Sequence, residues 1–79
     1  MNSWDDVFQY ADETVDYLKS ALANAEKILA AAREQQKTQL PVLTAVQLRE
    51  LHNAGWHLRD EVADAATAAE NLWDEVKEL

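Results

Sequence analysis

Residues 38–48, Thr-Gln-Leu-Pro-Val-Leu-Thr-Ala-Val-Gln-Leu, contain the only proline of the chain and divide it into two halves of nearly equal length. Pro41 has no amide hydrogen to give to a helix and disfavours helical geometry at Leu40, so a helix arriving from the N-terminal side must stop here. A new one is signalled at once. Thr44 and Gln47 have the spacing of a capping box, with Leu43 and Leu48 at the positions of a hydrophobic staple. The stretch therefore predicts a stop, a short connection over residues 38–44, and a restart at about residue 45.

Outward from this break, each half carries an unbroken heptad stripe. On the N-terminal side Trp4, Phe8, Ala11, Val15, Leu18, Leu22, Ala25, Leu29 and Ala32 recur in alternating steps of four and three, the spacing of one helix face. On the C-terminal side Leu48, Leu51, Gly55, Leu58, Val62, Ala65, Ala69, Leu72, Val76 and Leu79 do the same. Ser3 followed by Asp6 is a weak start signal, and the Ala-, Leu-, Glu-, Lys- and Gln-rich segment after it favours helix throughout.

These features predict an all-α fold: one domain over residues 1–79, with helix 1 at about 4–37 and helix 2 at about 45–78, folded as an antiparallel, coiled-coil-like two-helix hairpin. With the bend near residue 40, facing residues should have numbers summing to about 80, which pairs Trp4 with Val76, Phe8 with Leu72 and Leu18 with Val62. The alternative is a three-helix bundle, because Asn53-Ala54-Gly55 also reads as a helix C-terminus. Continuity is preferred, since the heptad phase runs through Gly55 without a skip.

A second set of apolar residues lies beside each stripe: Val7, Tyr10, Tyr17, Ala21, Ile28 and Ala31 in the first half, and Trp56, Ala63, Ala66 and Trp73 in the second. Tyr10, Tyr17, Trp56 and Trp73 are the candidate aromatic contacts to a partner. Covering both sets by self-association would give a homodimeric four-helix bundle.

Charge gives a second candidate surface. The chain has 15 acidic and 7 basic residues, a net charge of −8, which argues against direct binding to nucleic acid or anionic lipid. A hairpin brings residues 1–16 and 60–79 together, with 12 acidic residues against Lys77, a net of −11, while residues 17–59 carry a net of +3. Asp5, Asp12, Asp16, Glu70, Asp74 and Glu75 are the candidate electrostatic contacts to a basic protein.

Catalysis and cofactors find no support. His52 and His57 are five apart and diverge on a helix, no Glu-x-x-His pair exists, cysteine is absent, and a single glycine makes no phosphate loop. No membrane span is expected, and the acidic start is unlike a targeting peptide, so a cytoplasmic, soluble protein is expected. The functional expectation is a non-enzymatic inhibitor or adaptor for a basic, nucleic-acid-handling protein, acting as a nucleic-acid mimic. In size and charge alone the chain is similar to small acidic phage proteins that block bacterial defence or transcription machinery. The alternative is a scaffold homodimer built as a four-helix bundle.

Overall fold

The computed structural model describes residues 4–38 and 43–79, which form two long helices, α1 (Trp4–Thr38) and α2 (Ala45–Val76). The two pack together along their length as a hairpin 58 Å long and 19 by 14 Å in section. The expected cap on Ser3 and the break at Pro41 lie outside the described residues. The restart lies within them: the Gln47 amide donates to Thr44 Oγ1 at 3.1 Å, and the Thr44 amide donates to Gln47 Oε1 at 2.9 Å. Both halves of the capping box are therefore made. α2 runs through Gly55 as one helix, which rules out the three-helix alternative.

The face that closes the hairpin differs from the expected one. Along α1 the buried and half-buried positions are Asp6, Val7, Tyr10, Ala11, Glu13, Thr14, Ala21, Asn24, Ala25, Ile28, Ala31 and Gln35. Val7, Tyr10, Ala21, Ile28 and Ala31 belong to the stripe expected to be secondary, and only Ala11 and Ala25 to the one expected to form the seam. The stripe expected to form the seam is turned to solvent: Trp4 is 72% exposed, Phe8 73% and Leu22 59%. On α2 the seam combines Leu51, Leu58, Ala65 and Leu72 from the expected stripe with Ala54, Glu61, Ala68 and Glu75, which were not in it. Phe8 therefore does not sit in the seam opposite Leu72. The level at which the helices face each other stays close to the expected one: Asn24 Nδ2 donates across the seam to Glu61 Oε1 at 2.6 Å, and Ala31 shares a pocket with Gln47 and Leu51.

Alanine explains the outcome. The residues with least exposure are Ala21, Ala54, Ala65 and Ala68, at 3–6%, and small side chains at the contact allow two helix backbones to lie at the close end of the usual range of about 8–10 Å. Leucines and tryptophans at those positions would hold the helices apart. The most deeply buried seam positions are thus alanines, with the bulkier Tyr10, Ile28, Leu51, Leu58 and Leu72 half-buried beside them. Gly55 is not a site of close approach within the hairpin: a methyl group added there would meet nothing within 4 Å.

Candidate interaction surface

Heptad letters anchored on this seam locate the other faces. With Val7, Thr14, Ala21, Ile28 and Gln35 at a in α1, and Leu51, Leu58, Ala65 and Leu72 at a in α2, positions e and b follow on one flank of each helix and g and c on the other. In an antiparallel pair the two e flanks lie on the same side. The hairpin is therefore a slab with two broad sides of different chemistry.

One side is apolar. Among the described residues, ten of the fourteen large hydrophobic residues that are exposed fall at e or b, including Trp4, Phe8, Leu18, Leu22, Val62 and Trp73. No aspartate or glutamate occupies an e or b position in either helix, and the only lysine or arginine there is Arg59. Its guanidinium is 4.2 Å from the ring centre of Trp56 and 3.7 Å from Asp60 Oδ1, leaning away from the apolar strip. Acidic side chains are confined to g, c, f and the seam. On α1 the heptad stripe read from the sequence as the hairpin seam thus lies on the apolar side, whereas on α2 its members alternate between that side and the seam.

The candidate partner-binding residues do not converge on one surface. Asp5 and Asp12 lie on the outer edge of α1 and Glu70 on the outer edge of α2, at f positions, while Asp16 and Asp74 lie at c on the polar side. Asp74 is engaged by Lys77 Nζ at 3.1 Å in an exposed pair, worth little to stability. Glu75 is half-buried at the seam. Tyr10 and Tyr17 were read as lying away from the seam; the structure places them at its d positions, Tyr10 half-buried and Tyr17 37% exposed, with the Tyr10 carbonyl accepting from Thr14 Oγ1 at 2.7 Å. Trp56 stands 58% exposed on the outer edge of α2. Of the four aromatics, Trp73 alone belongs to the apolar side.

Sequence reasoning missed Phe8, Leu18, Leu22 and Val62 as surface residues because it had assigned them to the seam. Their signal was present in the heptad stripe, and its direction was misread.

Among the described residues no three His, Asp or Glu side chains are grouped to hold a metal ion, and no helix is long and apolar enough to cross a membrane. An open pocket at the loop end of the seam is lined by Lys27, Ala31, Leu43, Gln47, Glu50 and Leu51. The chain matches no family model and has no significant match among curated proteins or solved structures.

Proposed function

We propose that this chain is a non-enzymatic protein-interaction module whose docking surface is the carboxylate-free apolar side of the hairpin. The observation that supports this most directly is area. A compact folded chain of 8.9 kDa exposes about 4800 Å² by the scaling of surface with mass, whereas this hairpin exposes 6246 Å². A rod exposes more than a sphere, but a rod free in water would carry polar side chains on both broad sides. Here ten of the fourteen exposed large hydrophobic residues among those described lie on one side, a concentration of the kind that marks an interaction surface.

Leu22→Glu tests the reading, because Leu22 is 59% exposed and contributes little to the hairpin seam. The variant should keep its helical circular dichroism and lose association. Trp56→Ala, on the outer edge, should leave association intact. Association that survives Leu22→Glu would overturn the assignment of this surface.

The distribution of charge favours a second reading compatible with the first. Covering the apolar side leaves the carboxylates of the chain-end half exposed on the remaining surfaces, where a basic, nucleic-acid-handling partner could be engaged. Reversal of Asp12, Asp16 and Glu70 to lysine should then abolish capture of that partner, and raised salt should weaken it.

A further inference from the structure

The occupant of the apolar side can be argued from the order of residue sizes along it and from the charge polarity of the rod. We infer that it is a second copy of this chain, laid face to face with its loop at the opposite end, so that α1 packs on the partner's α1 and α2 on the partner's α2. This rests on the reading of the apolar side as a docking surface and adds its partner and direction.

Two face-to-face arrangements give all neighbouring helices antiparallel directions. With the loops at the same end, α1 lies over the partner's α2. With the loops at opposite ends, each helix lies over its own copy. Charge separates the two, because the chain-end half carries −11 and the loop half +3. Loops at the same end would set two strongly acidic halves side by side; loops at opposite ends set each acidic half beside a basic one.

Side-chain size agrees. Any stripe with alternating steps of three and four maps onto itself when reversed, so the mapping alone means nothing. What is particular here is which sizes meet. Reversing α1 about residue 20, close to its midpoint, places Phe8 opposite Ala32, Leu29 opposite Ala11 and Val15 opposite Ala25. Phe8, Leu29 and Val15 each meet a small side chain, as interdigitated cores require, while Trp4 falls opposite Gln36. Leu18 and Leu22 close the stripe at the axis.

The same axis must cross α2 at the level of residue 20. The Asn24–Glu61 hydrogen bond and the pocket shared by Ala31 and Leu51 place that level near residues 62–65. Val62 stands there, on the apolar side and 50% exposed, and would meet its own copy. Reversal about Val62 also brings Gly55 opposite Ala69, where the open space at the glycine admits a close approach. The excess area of about 1400 Å² per chain over a compact monomer is of the size buried in obligate dimers.

The chain has no cysteine, so engineered cross-links read the arrangement directly. Under mild oxidation Val62→Cys should give a disulfide-linked dimer by itself, and an equal mixture of Phe8→Cys and Ala32→Cys should give a mixed dimer. In parallel, sedimentation of the unmodified chain should show a dimer whose dissociation constant rises severalfold as salt increases, because the facing halves attract. Linkage of Leu18→Cys to Val62→Cys in place of these products, with a dimer strengthened by salt, would establish loops at the same end and overturn the direction. A monomer at every concentration would overturn the self-pairing. A dimer indifferent to Leu22→Glu would overturn the underlying reading of the apolar side, a result distinct from both.

Discussion

The hydrogen bond between Asn24 and Glu61 is a polar link across a seam otherwise made mostly of alanine and leucine. Asn24 Nδ2 also lies 3.2 Å from the Ser20 carbonyl, so one amide group serves its own helix and the neighbouring one. Polar pairs at seam positions fix register more than they add stability. Asn24→Leu alone would leave the half-buried Glu61 carboxylate without this donor and should cost about 1–3 kcal/mol in urea unfolding. Adding Glu61→Leu should recover much of that loss and broaden the amide spectrum, because the hydrophobic seam would then slide between registers. Gly55 is the second residue whose role is readable. It lies inside α2 with a helical neighbour on each side and empty space where a side chain would project. In the Leu22→Glu background, where the hairpin stands alone, Gly55→Ala should therefore raise stability by about 1 kcal/mol, and a lowered unfolding midpoint there would show that something within the hairpin packs against the bare Cα.

At the scale of the helix, what could be read in advance was what local chemistry determines. Thr44 and Gln47 announce the start of α2 because a cap is satisfied by residues three apart, whatever the rest of the chain does. Thr44→Ala should accordingly cost about 1 kcal/mol, seen as a lower unfolding midpoint with unchanged helical content. The heptad stripes likewise showed that each helix has an apolar face. They did not show which of two adjacent stripes on each helix faces its neighbour, because hydropathy ranks leucine and tryptophan above alanine, whereas backbone approach favours the reverse. Tyr10 and Tyr17 were misplaced for the same reason, and Phe8 and Leu22 with them. The seam can be tested where the two assignments differ. Ala68 is 4% exposed and lay outside the expected stripe, so Ala68→Leu should wedge the helices apart and cost about 1–3 kcal/mol. Ala63→Leu, on the exposed outer edge, should be nearly neutral, and equal effects from the two would place the seam elsewhere.

For the molecule as a whole, the burial pattern ties stability to the assembly proposed above. The seam of a single hairpin covers four alanines almost completely and leaves fourteen large hydrophobic residues exposed among those described, so most of the available hydrophobic stabilisation remains unused until another surface arrives. A chain of 79 residues with no disulfide has little reserve from its own core. Whatever binds the folded hairpin but not the unfolded chain raises its stability by mass action. If the bound partner is a second copy, the thermal midpoint must rise with protein concentration, and the rise should vanish in Leu22→Glu, whose midpoint should be low and constant. Scanning calorimetry over a hundredfold range of concentration measures both. A midpoint independent of concentration in the unmodified chain, together with a monomeric sedimentation profile, would mean that the alanine seam is sufficient alone, and that the apolar side awaits a different protein.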